Sequence, residues 1–147
     1  MWLILERKRH PHVAHQEERL DKKLWEAGLA KRKEVLGADY VEKSYATADD
    51  FNRPFQDMIT EYAWGGIWGD ERLSKREHSL INLGMLAGLN RMHEWELHFR
   101  GAIRNGITKD EMQAILHQIT VYCGAPAGVE CFRIARQVFA EMESRKE

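Results

Sequence analysis

The sequence predicts an all-α fold, a compact multi-helix bundle. Apolar residues recur at helical spacing over most of the chain. No stretch alternates apolar and polar residues as a half-buried strand would, and only three prolines interrupt 147 residues. A chain of this length buries roughly two-thirds of its unfolded surface, enough for one core without staples. Residues 16–147 read as a single domain. Residues 1–15 hold His10, Pro11, His12 and His15 without periodicity, and read as an extension of uncertain order. The spacing of those histidines suits no closed metal site, so no metal is expected.

Taken in order, a charged helix is expected from about Gln16 to Leu36, with Leu20, Leu24, Leu29 and Leu36 on one side and Gly37 as its stop. A short piece follows around Tyr40 to Tyr45. Thr47 then caps a helix through Phe51, Phe55, Met58, Ile59 and Tyr62, with Pro54 in or near its first turns. Ala63 to Gly69 reads as an aromatic-rich bend that breaks this helix. Ser74-Lys75-Arg76-Glu77 is a capping box. Its helix, to about Leu89, is apolar on nearly every side, which predicts a central, buried element. His93 to Asn105 forms the next helix, closed by Gly106. Thr108 to Glu111 is a second capping box, opening a helix that ends at Cys123. Gly124-Ala125-Pro126 interrupts, and a last helix runs from Pro126 to about Glu141.

Composition narrows the function. Twenty-two basic and 23 acidic residues leave a net charge of −1, interspersed rather than blocked. Such a surface draws no polyanion, so no nucleic acid is expected. No apolar run approaches the ~20 residues of a membrane span. Met1 to Leu5 is too short for a signal-peptide core, so the expected location is the cytoplasm. Cys123 and Cys131 match no metal or redox spacing and are expected as reduced thiols.

Chemistry concentrates on the helix 93–105. Trp95, Phe99, Ala102 and Ile103 form its apolar face, and His98 lies beside it. Glu94, four residues earlier, can reach the imidazole and favour its charged form or fix one neutral tautomer. Half burial with a carboxylate neighbour suits proton transfer. The competing reading is a structural histidine paired with a surface glutamate. His117 points away from its helix's apolar face and is expected in solvent. Trp64 and Trp68 either wall an apolar pocket or fill the core, and His98 and Trp64 are expected to line one enclosed pocket. Arg76 and His78 are candidates to meet an anion, although Arg76 also reads as a solvated first-turn residue. Tyr122 and Cys123 fall at what reads as the buried end of their helix. Cys123 as a nucleophile would need a nearby base.

These residues resemble a known family. Phe51-Asn52-Arg53-Pro54-Phe55-Gln56 followed by Ala63-Trp64-Gly65-Gly66-Ile67-Trp68 is similar to a stretch of the γ-carboxymuconolactone decarboxylases. So are Ser79-Leu80-Ile81 through Met85-Leu86, Glu94-Trp95-Glu96-Leu97-His98, Asn105 to Glu111, and Tyr122-Cys123-Gly124-Ala125-Pro126-Ala127. The motifs run in order over roughly residues 24 to 140. The resemblance implies an all-α fold of the carboxymuconolactone decarboxylase and AhpD-like type, assembled as a homo-trimer or homo-hexamer. It implies a cofactor-independent decarboxylase taking a small carboxylated lactone, γ-carboxymuconolactone, to β-ketoadipate enol-lactone in the β-ketoadipate pathway of aromatic catabolism. Loss of carbon dioxide there leaves a dienolate. Preorganised donors stabilise its oxygen, and His98 is the candidate to protonate its carbon.

The chain also departs from that pattern. Positions where the family usually carries arginine hold Asp70 and His78, and a usual glutamate falls on Ala114. The lactone carries two carboxylates, so these departures bear on substrate choice, with Arg72 and Arg76 as candidates to compensate. Two other readings stay open. An AhpD-like hydroperoxidase needs a cysteine pair where this chain has Arg91 and Glu94, and a relay glutamate where it has Ser79. A non-enzymatic helical oligomer would leave His98 either solvated or packed without a cavity.

Overall fold

The computed structural model describes residues 21–144, and the described chain is helical, with no strand. Residues 1–15, read as an extension, and the start of the first expected helix lie outside the described residues. Seven α-helices follow one another: α1 (Lys22–Leu36), α2 (Ala38–Ala46), α3 (Arg53–Ile59), α4 (Lys75–Gly88), α5 (Met92–Arg104), α6 (Lys109–Cys123) and α7 (Ala125–Ser144). Between α3 and α4 the chain continues as a π-helix, Thr60–Ile67.

Local chemistry sets the boundaries. Asp21 caps α1, its carboxylate accepting from the N–H groups of Lys23 and Leu24, so α1 starts at Lys22. Both capping boxes form, at Ser74/Glu77 and at Thr108/Glu111. Gly37, Gly106 and Gly124 take positive φ at three helix ends, where only glycine sits without strain. Pro54 falls in the first turn of α3. Two expectations fail here. Thr47 closes α2 instead of opening a helix, since its N–H and hydroxyl both bond the Lys43 carbonyl. The turn that follows is held by Asp49, which accepts from the N–H groups of Asn52 and Arg53. Ala63 to Gly69 does not break the helix. It widens into π turns, shown by the Trp68 N–H bonding the carbonyl of Ala63 five residues back, at 2.9 Å.

Two cores result. The larger is built by α4 to α7 around Leu83, Trp95, Phe99, Met112, Leu116 and Ile134. The smaller joins Val35, Leu36 and Val41 to Trp64 and Trp68, with Leu97 of α5 against it. Helix α5 is the wall between them, turning Trp95 and Phe99 one way and Leu97 the other. Gly101 lets α5 approach α1 closely, because a Cβ there would sit 3.0 Å from the carbonyl oxygen of Val35. Helix α4 is not buried all round as its composition predicted. It buries His78, Ser79, Leu83 and Ala87 and leaves Ile81, Met85 and Leu89 exposed. Among the described residues, no helix is long and apolar enough to cross a membrane.

Candidate active site

Three elements meet at a stack of flat rings. The π segment presents Trp64, and Trp68 caps its C-terminal end; their indoles stack at 4.9 Å between centroids and 23° between planes. His98, from α5, lies parallel to both, at 6.2 Å and 6° from Trp64 and 5.9 Å and 17° from Trp68. His78, in the first turn of α4, covers Trp68 at 4.9 Å. Trp64, Trp68 and His78 are buried, and His98 is partly buried. Each imidazole carries one buried nitrogen without a hydrogen-bond partner, Nδ1 of His98 and Nε2 of His78. Buried polar atoms are ordinarily paired, so two orphans on imidazoles stacked with one indole mark this cluster as more than core. His98 and Trp64 thus come together ring to ring, in one cluster with Trp68.

Electrostatics fix the state of His98. Burial pushes its pKa down from 6.5 to about 4, with the charge of Glu94 opposing only weakly. The expected Glu94 contact is absent: Glu94 is exposed, and no hydrogen bond joins it to the ring. At neutral pH His98 is thus an uncharged imidazole, and desolvation decides this over the carboxylate four residues away. A stability effect follows. Between about pH 4 and 6.5 the unfolded chain binds a proton at this position that the folded chain refuses, so stability falls as pH drops through that window. The loss due to this ring is on the order of 2 kcal/mol. Urea midpoints measured at pH 7 and pH 4.5 should differ less in His98→Gln than in the parent chain.

The other sequence-predicted residues are not brought to the stack. Arg76 turns towards α6, bonding the Gly106 carbonyl at 3.1 Å and the Glu111 carboxylate with both terminal nitrogens. Arg72 is held by Asp70 at 3.0 Å, a contact that pulls the Asp70 carboxyl down to about 2. Both arginines that could compensate for Asp70 and His78 are therefore occupied by carboxylates of the chain. Tyr122 is 81% exposed instead of lying at a buried helix end, because the last turn of α6 faces outward there. Cys123 packs on the larger core, near Gly88. The neighbouring thiol of Cys131 is pushed up to about 11 by burial, and both cysteines are free. His117 is exposed as expected, its ring tilted against Phe132. A groove of about 210 Å³ lies elsewhere, between α6 and α7, lined by Lys109, Met112, Phe132 and Phe139 among others; no site residue named above lines it. Among the described residues, no three His, Cys, Asp or Glu side chains gather in a metal-binding group.

Sequence reasoning missed the ground under Trp64. Arg32 of α1 is 4% exposed, yet donates to the Thr60 hydroxyl at 3.0 Å and the Gln56 side-chain amide oxygen at 2.9 Å. The Tyr45 hydroxyl donates to the same Thr60 oxygen at 2.8 Å. A signal was present: Gly28, Arg32, Val35 and Leu36 recur at helical spacing, and these are the residues α1 buries.

The family follows from comparison with known proteins. The model of the carboxymuconolactone decarboxylase family matches residues 53–137, more than half of the chain and the whole span from Trp64 to His98. The chain belongs to the carboxymuconolactone decarboxylase family. It is 39% identical over 131 residues to the nitrosuccinic acid decarboxylase of Metarhizium robertsii, covering 88% of this chain and 91% of that protein. It is 34% identical over 122 residues to the 4-carboxymuconolactone decarboxylase of Acinetobacter baylyi, covering 83% and 91%. A 4-carboxymuconolactone decarboxylase of Pseudomonas putida is 40% identical over 45 residues, 31% of this chain and 94% of that one. Membership makes this chain a decarboxylase, a carboxy-lyase, and the ring stack is the candidate site within the matched span.

Proposed function

We propose that the chain decarboxylates a small dicarboxylic acid whose reacting carboxylate sits beside an oxygen-bearing electron sink, with His98 handling the proton. The observation that carries this is the uncharged imidazole of His98, flat against two indoles with one nitrogen sealed from water. γ-Carboxymuconolactone, in the β-ketoadipate route of aromatic catabolism, meets the description. So does nitrosuccinic acid, the compound named in the relative from M. robertsii. In both, the carbon–carboxyl bond breaks heterolytically and carbon dioxide leaves. The electron pair moves into the conjugated lactone as a dienolate, or into the nitro group as a nitronate. A proton then adds to carbon. The sink belongs to the substrate, so the reaction calls for no cofactor.

The residues divide the work. Indole edges border the reacting carboxylate with apolar surface, which favours loss of its charge as neutral carbon dioxide. A dicarboxylate at the stack's edge brings negative charge beside a desolvated imidazole and favours the imidazolium. His98 then takes up a proton with the substrate and returns it to carbon. His78, with its own unpartnered nitrogen, stacks on Trp68 and is the second polar group a substrate oxygen can meet. The test is to supply enzymatically generated γ-carboxymuconolactone and, separately, nitrosuccinic acid, and to measure carbon dioxide release. Acceleration over buffer with either is expected, and none with both would overturn the reading.

The enzyme is proposed to act as a homo-oligomer, a trimer or hexamer. Helix α4 is apolar nearly all round, yet leaves Ile81 and Met85 exposed, with Leu89 exposed just past its end. A second copy of this chain is the occupant proposed for that face. Sedimentation should give a mass several times the 17.2 kDa of one chain, and Met85→Glu should lower it; a monomer throughout would refute the assembly.

A further inference from the structure

We propose that Arg32 is a positioning residue for the reaction: by gripping Gln56 and Thr60 from α1, its guanidinium holds the π-helical turn that lays Trp64 and Trp68 against His98. The inference rests on His98 as the proton-handling group, but its geometry is independent of any substrate.

A π turn is rare, sits where an α-helix would ordinarily continue, and persists only with support from outside. Here the support comes from one face of α1. Gly28 lies directly against the π segment: a Cβ there would stand 2.0 Å from the Thr60 carbonyl oxygen and 2.7 Å from the Gly65 nitrogen. One turn on, Arg32 reaches both sides of the point where the helix widens. Its bond to Gln56 holds α3, and its bond to Thr60 holds the first residue of the π segment. Tyr45 closes the arrangement from α2, bonding Thr60 and placing its ring 5.9 Å from the guanidinium.

The identity of the residue is informative. The partners of the terminal nitrogens of Arg32 are neutral oxygens, and its Nε is buried without a partner. Burial without a carboxylate works against the charge, and a well-packed apolar residue commonly serves stability as well or better. What an apolar residue cannot do is span two acceptors on successive helical segments with one rigid fork. Trp64 and Trp68 follow Thr60 by four and eight residues. If the segment relaxed into an ordinary α-helix, every residue beyond the widening would rotate by about 100° per residue gained or lost. The indole of Trp68 would then leave both imidazoles.

Three variants test this: Arg32→Met, which keeps length without the fork; Arg32→Lys, which keeps charge with a single nitrogen; and Thr60→Val, which removes the acceptor but keeps the shape. Two readouts need no substrate. Stacked indoles give an exciton couplet in circular dichroism, and the His98 ring can be titrated by NMR. Arg32→Met and Thr60→Val are expected to lose the couplet and to move the His98 midpoint from about 4 towards 6.5 as water reaches the ring. Arg32→Lys is expected to fall between these and the parent. Using whichever of γ-carboxymuconolactone and nitrosuccinic acid the parent enzyme turns over, kcat should fall at least tenfold in Arg32→Met, with a smaller change in KM. Should Arg32→Met fail to fold, Thr60→Val decides by the same readouts. A retained couplet and an unmoved His98 titration, with only a lower melting temperature, would reduce Arg32 to a structural residue and overturn the proposal. Failure of the parent enzyme on both substrates would instead count against the reaction while the spectroscopic result stands.

Discussion

Replacing His98 with glutamine is expected to lower kcat by about 10²- to 10⁴-fold, the usual contribution of one positioned proton-transfer group. Glutamine fills similar space and still offers a hydrogen-bond donor, so the ring stack and substrate affinity should suffer less than turnover. What glutamine lacks is the capacity to carry a proton. Each cycle places one proton on carbon after carbon dioxide leaves. The rings of Trp64, Trp68 and His78 are buried, and in the proposed mechanism they keep bulk water from that carbon. The free imidazole rests uncharged, its pKa pushed down to about 4 by burial, and in the proposed mechanism it becomes an acid only when a substrate carboxylate stands beside it. Proton uptake should therefore accompany binding of an unreactive dicarboxylate such as succinate, and calorimetry in buffers of different ionisation enthalpy measures it. Undiminished kcat in His98→Gln would remove this histidine from the mechanism and leave water as the proton source.

What the sequence disclosed and what it concealed follow one physical division. Features fixed within a few residues were legible. Ser74 with Glu77 and Thr108 with Glu111 are reciprocal bonds across three residues, and both form. Glycine stops at 37, 106 and 124 depend on one backbone angle each. Periodicity placed His98 beside the apolar face of its helix, and the family motifs fall on the π segment and on the helices that carry the stack. Features fixed by distant partners were not legible. The Trp64-Gly65-Gly66-Ile67-Trp68 run reads as a break, because glycines end helices; here α1, more than 20 residues earlier, holds the same run in π turns. Glu94 sits at the right spacing to influence His98, but spacing says nothing of desolvation, and desolvation dominates. Arg76 was open to an anion until Glu111, 35 residues later, occupied it. Arg32 reads as one more charge on a charged helix and becomes a buried anchor only when Thr60 and Gln56 arrive.

Gly28→Ala tests the packing on which that anchor depends, and two effects oppose each other there. Alanine in a helix interior is favoured over glycine by about 1 kcal/mol, so local propensity predicts a more stable protein. Tertiary contact predicts the reverse. The added Cβ would meet the Thr60 carbonyl oxygen at 2.0 Å and the Gly65 backbone at 2.7 Å. These are main-chain atoms of a helical segment and cannot rotate away. Overpacking costs 1–3 kcal/mol even where side chains can adjust; with backbone on the far side the upper end applies, for a net loss of about 2 kcal/mol or more. Gly128 gives the comparison. Its Cβ would approach Thr120 Oγ1 at 2.1 Å and Thr120 Cβ at 2.8 Å; turning the hydroxyl away relieves the first contact, at the loss of its bond to the Leu116 carbonyl, and leaves the milder second one. Urea unfolding should therefore rank Gly28→Ala below Gly128→Ala, and both below the parent chain. The larger loss should carry a change in indole circular dichroism, since α1 can make room only by pushing the π segment and its tryptophans away from His98. A stabilised Gly28→Ala would mean that α1 and the π segment do not touch as closely as this structure places them.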